Sequence, residues 1–434
     1  IYIFPIFYLY KKITFRRRRK DLKGILGLQT IEIYKIDNID LTNRESLLKS
    51  LPDLNFNKGG WCIYFKDAFK IINKNLFPNK YLDKKIGIKI LINNKNKDPN
   101  FYGNRPFGKF GEVKEILRVG NRLYILKKGI KIFDLILLED NYGNKSYAYL
   151  VEHCEGNYLT KNSDLKNSLS ELKRDQWLKP AWGTTFLVED FNLNKSNNNI
   201  IKLKSNEVRF LDFQSFVIND EYLYFNEIVK NFSSTSFGKK RIFANKNYLY
   251  QVLPSVQEGK RDTFKRWKIF DDLFLDSGIS LKDLIVIDVG CNIGMNSYYA
   301  LSRGAKYLFG IDKLSVSQKT LEILYSVGAT RFDIYGIDLN SKTDLSKLKF
   351  LITEKIDIIF YCSVDGHIGY PEEINSLGFK YIVHEGHVGT TIEENFENLI
   401  SHNWLKRDIS KILFRTYISD GDSISRPLFI ASKE

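Results

Sequence analysis

A glycine-containing turn holds the residues of this 434-residue sequence that are best suited to bind a ligand. Between an apolar run and a helical pattern, the stretch VIDVGCNIGMNS contains Asp288, Gly290, Cys291, Asn292 and Gly294. Glycines let a nucleotide-like ligand approach the backbone, and the N-terminus of the next helix faces its polar end. Asn also tolerates positive φ. The pattern predicts a strand–turn–helix binding site.

Two further acidic residues end the next apolar runs of the chain. Asp312 lies 24 residues after Asp288, where a carboxylate can accept both hydroxyls of a ribose. Asp338 ends the following run in the same way and is placed to receive an adenine amino group. Three acidic strand ends along one sheet edge arise by chance far less often than a lone glycine pattern. They predict a nucleoside-containing cofactor.

A cluster of histidines and carboxylates follows the two later runs DIIFYCSV and KYIVHEG. We assign as candidate catalytic residues Asp365, His367, His384, Glu385 and His387. Ser363, at the end of the first run, is assigned to the cofactor site. Histidine accepts a proton from a hydroxyl group near neutral pH, so the cluster indicates transfer to an oxygen. The same side chains are alternatively metal ligands or strand caps, although HEGH lacks the HExxH spacing.

Strands and helices alternate in the C-terminal part of the chain. Near-continuous apolar runs of the buried-strand type occupy 284–290, 305–312, 331–338, 357–364 and 380–386. Helical segments that end at Gly separate them, and 413–432 has the pattern of a hairpin. This order predicts an α/β fold, a doubly wound, mostly parallel seven-stranded sheet.

These motifs resemble the class I, seven-stranded S-adenosylmethionine-dependent methyltransferases over residues 281–434. The resemblance implies that the turn from Asp288 to Gly294 contacts the methionine part, that Asp312 holds the ribose and that Asp338 lies beside the adenine. The sequence DVGCNIG is also similar to the corresponding sequence of family members that O-methylate sugars and small molecules. We therefore expect O-methylation of a glycan, lipid-linked sugar or small metabolite.

Two alternatives to this function remain open. The first is a nucleic-acid methyltransferase, because 66 Lys and Arg against 51 Asp and Glu give a net charge of +15. A general enrichment in Lys and Asn explains the charge equally well, and the NPPY-like tetrad of amino-directed enzymes is absent from the sequence. The second is an adapter that binds S-adenosylmethionine without catalysis.

The alternation of short apolar runs and helical patterns in the N-terminal half predicts an α+β domain. Short strands are expected at 61–65, 86–92, 122–126, 132–138 and 146–152, and helices at 109–118 and 163–177. Pieces of this half resemble protein kinases or small-molecule kinases, in the right order. The resemblance implies a kinase-like site with ATP and magnesium, formed by Lys89, Glu115 (or Glu112), Asp190, Asn199 and Asp212. An unrelated α+β domain is the other interpretation, because no clear glycine-rich loop precedes Lys89.

We expect four segments along the chain: a basic segment 1–29, the α+β domain 30–233, a linker 234–262 and the methyltransferase domain 263–434. Four cysteines without CxxC spacing favour a reducing cytoplasm. The run RRRRK in the basic segment could place the protein at the inner face of a membrane, as a peripheral contact. The expected partners are thus a small-molecule or glycan acceptor, with nucleic acid as the alternative.

Overall fold

The structure, a computed structural model, describes residues 29, 31–51, 56–58, 62–73, 79–91, 110–158, 162–175, 178–180, 200–211, 216–218, 238–240, 247–251, 259–419 and 425–434. These residues form two compact units. The N-terminal unit lies within 31–220 and includes 325–330, and the C-terminal unit lies within 221–324 and 331–434. No helix in this part of the chain is long and apolar enough to cross a membrane.

The N-terminal unit is built around a mixed sheet. Its described strands are β1 (Ile33–Lys35), β2 (Phe56–Lys58), β3 (Cys62–Phe65), β4 (Ile86–Leu91), β5 (Ile132–Glu139), β6 (Lys145–Glu152), β7 (Gly156–Tyr158), β8 (Leu178–Pro180), β9 (Ile200–Leu203), β10 (Val208–Phe210) and β11 (Phe216–Ile218). Its helices are α1 (Arg44–Ser50), α2 (Phe110–Ile125) and α3 (Asn162–Arg174). Six strands form one sheet in the order β1-β5-β6-β4-β3-β2, and the short strands form two small sheets, β10-β9-β7 and β11-β8.

Helix α2 corrects one prediction, because it contains most of the segment 122–126 that was expected to be a strand. A short apolar run cannot be assigned to a strand or a buried helix from its periodicity alone. Here Val113, Leu117 and Leu123 are all buried on the helix. The helix ends at Ile125, and Lys127, two residues later, has a φ of 57°.

The C-terminal unit contains the second large sheet. Its described strands are β12 (Gly238–Lys240), β13 (Asn247–Gln251), β14 (Gly259–Arg261), β15 (Ile285–Val289), β16 (Tyr307–Asp312), β17 (Phe332–Gly336), β18 (Ile358–Cys362), β19 (Tyr381–Glu385), β20 (Lys411–Ile418) and β21 (Arg426–Ser432). Its helices are α4 (Thr263–Ser277), α5 (Met295–Ser302), α6 (Leu314–Ser326), α7 (Lys342–Leu345), α8 (Leu348–Leu351), α9 (Asp365–Ile368), α10 (Glu372–Asn375) and α11 (Ile392–Ser401).

The large sheet of the C-terminal unit has the order β17-β16-β15-β18-β19-β21-β20. Neighbouring strands from β17 to β19 are parallel, whereas β21 is antiparallel to both β19 and β20. The prediction of a doubly wound, mostly parallel seven-stranded sheet with a terminal hairpin is confirmed. The strand order reverses beside β15, and a crevice for ligands opens at such a switch point.

The segment predicted to be a linker carries three of the short strands. β12, β13 and β14 form a small sheet, with β13 parallel to β14. Asp262 then caps α4 by accepting the N–H groups of Phe264 and Lys265, and the helix ends at Gly278 in the left-handed conformation. The segment therefore places the buried side chain of Arg261 and the first turn of α4 against the large sheet.

Candidate active site

The glycine turn follows β15 with three residues in the left-handed conformation. Gly290 has φ 67°, Asn292 has φ 51° and Gly294 has φ 81°. The N–H of Gly290 donates to the carbonyl of Ile311 on β16 (2.8 Å), and the N–H of Gly294 donates to the carbonyl of Cys291 (2.8 Å). These bonds hold the turn against the neighbouring strand and start α5 directly after Gly294.

The surroundings of the turn explain why small residues occupy it. A Cβ on Gly290 would overlap Cγ1 of Val364, and one on Gly294 would lie 2.8 Å from Cγ2 of Thr320. The side chain of Cys291 is buried and packs beside Gly310 of β16. Only the backbone of Cys291 is therefore placed to contact a ligand.

Asp312 ends β16 beside the turn, as the spacing predicted. Its Oδ2 accepts the N–H of Asn292 (2.9 Å) and its Oδ1 accepts the N–H of Lys313 (2.8 Å). Burial raises the pKa of this carboxyl, while the two N–H groups oppose the rise. Asp338 follows β17, next along the sheet edge, and accepts the N–H of Asn340 (3.0 Å).

Asp288 has surroundings that differ from those of Asp312. Its side chain is buried on β15, and its Oδ2 accepts the hydroxyl of Ser297 from α5 (2.6 Å). Burial raises the pKa of this carboxyl to about 7, although the Ser297 hydrogen bond and Arg266 lower it. Asp288 thus ties the strand to the helix that follows the turn.

Glu385, at the end of β19, is the centre of a buried ion-pair cluster. Its fully buried carboxylate contacts Arg261 of β14 through Oε1 (2.5 Å) and Arg266 of α4 through Oε2. Arg426 of β21 lies 3.4 Å from Oε1, and the Ser363 hydroxyl donates to the same oxygen (2.6 Å). Burial alone would raise the pKa of Glu385, but Arg266 and Arg261 hold it well below its usual value. A carboxylate engaged in this way is a structural anchor rather than a proton acceptor.

Ser363 connects this cluster to the edge of the sheet. Its φ is 58°, an uncommon value for a residue other than glycine. Its N–H donates to the Glu385 carbonyl (2.7 Å). Strained backbone of this kind is frequent where a site must hold one geometry.

His384 points to the opposite side of the sheet from Glu385, because adjacent strand residues alternate. The side chain is fully buried, stacked on Phe429 with ring centroids 5.2 Å apart, and its Nε2 lies 3.4 Å from the Tyr370 hydroxyl. Burial lowers the pKa of His384 to about 3, so the ring stays neutral. This position suits packing better than exchange of protons with a ligand.

The remaining three predicted catalytic residues meet at the carboxyl ends of β18 and β19. Asp365 and His367 lie on α9, and His387 follows β19. Asp365 Oδ1 is 3.3 Å from His387 Nε2, and the two imidazole ring centroids are 5.7 Å apart. Among the described residues, no group of three or more His, Cys, Asp or Glu side chains is arranged to hold a metal ion.

None of the three arginines of the cluster was among the predicted site residues. Arg266 lies on the buried face of α4 with Trp267 and Phe270, and a charge at that helical spacing was the available signal. No feature of the sequence indicated a role for Arg261, because this residue lies in a polar segment 124 residues before Glu385.

The predicted kinase-like site is described only in part. Lys89 lies on β4, and its Nζ donates to the carbonyl of Leu211 (3.1 Å), the residue before Asp212. Glu115 lies on α2, which follows β4 in the chain. Asp190, Asn199 and Asp212 lie outside the described residues.

The strand order, the glycine turn and the acidic strand end together characterise the fold of the C-terminal unit. It has the fold of the class I S-adenosylmethionine-dependent methyltransferases. No protein-family model matches the chain. Protein arginine N-methyltransferase 1 of Chlamydomonas reinhardtii is 28% identical over 94 residues, which are 22% of this chain and 26% of that protein. The match thus spans about a quarter of the relative's length.

The comparison with solved structures also found methyltransferases. Magnesium protoporphyrin IX methyltransferase (ChlM) from Synechocystis PCC 6803 with bound SAM is 16% identical, and the match covers 39% of this chain and 81% of that one, with a TM-score of 0.30. WbdD is 18% identical, with 48% and 47% covered and a TM-score of 0.31. A second WbdD structure, described as a bifunctional kinase-methyltransferase, is 17% identical, with 48% and 46% covered and a TM-score of 0.32.

Proposed function

We propose that the C-terminal unit is an S-adenosylmethionine-dependent methyltransferase that methylates a hydroxyl of a glycan, a lipid-linked sugar or a small metabolite. The observation that carries the proposal is the contact between the turn and Asp312. It fixes a carboxylate beside a tightly enclosed backbone turn at the switch point of the sheet.

The hydrogen-bond acceptors at this place fit a ribose. A carboxylate offers about four lone-pair positions, and the N–H groups of Asn292 and Lys313 occupy two of those on Asp312. The remaining lone-pair positions of Asp312 are available to the two neighbouring hydroxyl groups of a ribose. Leu314, two residues further, is 62% exposed, an apolar surface that a purine ring would cover. When bound, the cofactor supplies an electrophilic methyl group, and the backbone of the turn together with Asp312 orients it.

The acceptor would lie beyond the carboxyl ends of β18 and β19, where Asp365, His367 and His387 meet. A hydroxyl must lose its proton as its oxygen gains a methyl group, and an imidazole–carboxylate pair can receive that proton. This chemistry supports an oxygen acceptor. We also propose that the reaction takes place in the cytoplasm, as the four free cysteines suggest.

A second candidate function, binding of ATP with magnesium by the N-terminal unit, rests on Lys89. Its ammonium group reaches the carbonyl of Leu211, 122 residues away in the chain, next to the proposed metal ligand Asp212. In kinases the corresponding lysine and aspartate meet at the phosphates of ATP. We propose that this unit binds or phosphorylates the acceptor.

The cofactor proposal is tested by calorimetric titration of the full chain with S-adenosylmethionine. Asp312→Ala should weaken binding at least tenfold, because two hydroxyls lose a charged acceptor. Glu397→Ala is the matched control, since that exposed carboxylate pairs with Arg407 and has no role in the proposed cofactor site. A wild-type chain that does not bind would overturn the proposal.

The acceptor is identified by transfer of a tritiated methyl group to a panel of probes. The panel contains oligomannose, glucose 6-phosphate, transfer RNA and an arginine-rich peptide, the last because one relative is named an arginine N-methyltransferase. Labelling of either sugar supports O-methylation. Labelling of RNA or peptide alone contradicts it.

The ATP proposal is tested by titrating the full chain with ATP and magnesium, with Lys89→Ala beside it. Binding should be lost in the variant, because the phosphates lose their ammonium partner. Lys85→Ala is the control, since Lys85 pairs with Glu155 on the surface. Equal binding by Lys89→Ala and the wild type contradicts this function.

A further inference from the structure

A polar cleft of about 430 Å³ lies in the N-terminal unit. Its walls are the end of α2 with the turn that follows, one side of α3, and the turn between β9 and β10. The volume is within the range of small-molecule sites, roughly 300–1,000 Å³. Lys89 is not among the described residues that line it, so the cleft differs from the proposed ATP site.

Contacts between the walls hold the cleft in shape. Lys128, in the turn after α2, forms an ion pair with Glu171 of α3 (Nζ to Oε2, 2.6 Å). The N–H of Phe210 on β10 donates to the carbonyl of Lys128 (2.6 Å), and the guanidinium of Arg209 donates to the carbonyl of Lys127. Because the walls are joined before a ligand arrives, binding orders little of the chain and costs less entropy.

Both turns at the cleft contain a residue in the left-handed conformation. Lys127 has φ 57° and Asn206 has φ 65°. This conformation is uncommon for lysine, and the surrounding contacts must maintain it. The geometry of both turns is therefore fixed by the fold.

The charges at the cleft are nearly balanced. Lys128 and Glu171 neutralise each other, and Glu207 is paired with Arg209 (2.7 Å). Lys127 also lines the cleft, and the described residues offer its ammonium group no carboxylate. One positive charge is therefore available to an anionic group of a ligand.

Ser168, Asn167 and Asn206 supply uncharged polar groups to the cleft. Ser168 is only 4% exposed, and its hydroxyl has no hydrogen-bond partner in the described part of the chain. The side-chain amides of Asn167 and Asn206 are likewise unpaired with described residues. A hydroxyl that is this deeply enclosed has lost most of its hydration, so a hydrogen bond with a ligand is favourable there.

These groups select the chemistry of the ligand. Hydroxyl and amide side chains both donate and accept hydrogen bonds, as the hydroxyl groups of a sugar ring do. A lysine binds a phosphate as a compact positive charge. None of the described residues that line the cleft is aromatic, so a nucleotide base finds no ring on which to stack. A phosphorylated sugar is the class of ligand that uses all four groups.

We propose that this cleft is a binding site for a phosphorylated sugar, with ring hydroxyls bonded to Ser168, Asn167 and Asn206 and the phosphate beside Lys127. The inference deepens the proposed function and rests on it, because it names the place where the N-terminal unit holds a sugar acceptor.

The site is tested by calorimetric titration of the full chain with glucose 6-phosphate, and with glucose and inorganic phosphate as partial ligands. Glucose 6-phosphate should bind about tenfold more tightly than either part, because it engages both the uncharged groups and the ammonium. Ser168→Leu fills the cleft and should abolish binding. Ser170→Leu is the matched control and should bind like the wild type, because Ser170 is exposed on the same helix, where its hydroxyl donates to the Asn167 carbonyl.

Two milder variants keep the test independent of folding. Asn206→Gly removes the amide while glycine accepts the positive φ, so affinity for glucose 6-phosphate should fall about threefold to tenfold at nearly unchanged thermal stability. Lys127→Gln should weaken binding of glucose 6-phosphate about tenfold and leave binding of glucose unchanged. Lys49→Gln is its control, because Lys49 is an exposed lysine of α1.

Lys89→Ala separates the cleft from the proposed ATP site, and this variant should bind glucose 6-phosphate like the wild type. Loss of binding in Lys89→Ala, or no binding by the wild type, would overturn the proposal. Equal binding by the wild type, Ser168→Leu and Asn206→Gly would also overturn it. None of these outcomes concerns cofactor binding, whereas failure of the wild type to bind S-adenosylmethionine would refute the proposed function itself.

Discussion

Glu385 illustrates how a single side chain constrains this site. A charge without exposure to water is costly unless hydrogen-bonded partners surround it, and here Arg261 and Arg266 provide them from elements far away in the sequence. The cluster joins β14, α4 and β19, so it fixes the end of β19 next to Ser363. Glu385, which we predicted to be catalytic, is thus also a residue that holds Ser363 and the end of β19 in place.

Removing the Glu385 charge should destabilise the C-terminal unit. Glu385→Gln leaves two buried guanidinium groups without their anion, and we expect a loss of about 3–5 kcal/mol. Native-state hydrogen exchange of the β19 amides measures the change. Glu397→Gln is the control, because its ion pair with Arg407 is exposed and should leave exchange unchanged. Equal protection in both variants would show that the cluster contributes no stability.

Asp288 should make the C-terminal unit less stable as pH rises. Its folded-state pKa of about 7 exceeds the ordinary 3.8, so the folded chain binds more protons between these values. The contribution is complete below about 3.8 and lost through about 7, at most roughly 4 kcal/mol. Hydrogen exchange of β15, corrected for intrinsic rates, should show this decline, and Asp288→Asn should flatten it. A decline of equal size in the variant would assign the effect to another group.

The glycine turn is the element whose geometry is most sensitive to substitution. Gly290→Ala combines positive φ with overlap against Val364, whereas Gly278→Ala has positive φ and open space around the new Cβ. We expect Gly278→Ala to cost about 1 kcal/mol and Gly290→Ala clearly more, with loss of cofactor binding. Thermal unfolding and calorimetry measure the two effects. Binding by Gly290→Ala at wild-type affinity would contradict the proposed position of the cofactor.

Elements with strong patterns could be predicted from the sequence. The strands β15 to β19 are mostly apolar, as is typical of a parallel sheet that is covered on both faces, and Asp312 followed from its distance to Asp288. The run at 122–126 was misassigned because its β-prone residues also fit a buried helix face. The strands from β12 to β14 were not predicted, because they are short and largely polar. Contacts such as Arg261 with Glu385 depend on the folded chain and have no local signal.

The net charge of +15 is a property of the whole molecule. If it reflects general enrichment in lysine, we expect only weak, non-specific RNA binding, with a dissociation constant of about 10⁻⁴–10⁻⁶ M at physiological salt. Fluorescence anisotropy with a labelled transfer RNA at several salt concentrations measures it. Binding well below this range, with a preference for one RNA, would support the nucleic-acid alternative.

The position of β21 has a consequence for synthesis of the protein. This strand, the last described one in the chain, lies between β19 and β20 and covers the edge of β19. During translation β19 emerges long before β21, so its row of backbone N–H and C=O groups stays open until Arg426–Ser432 has left the ribosome. A nascent chain stalled before this segment would expose a hydrophobic edge strand to other nascent chains. Chaperone demand should therefore be greatest between the emergence of β19 and that of β21.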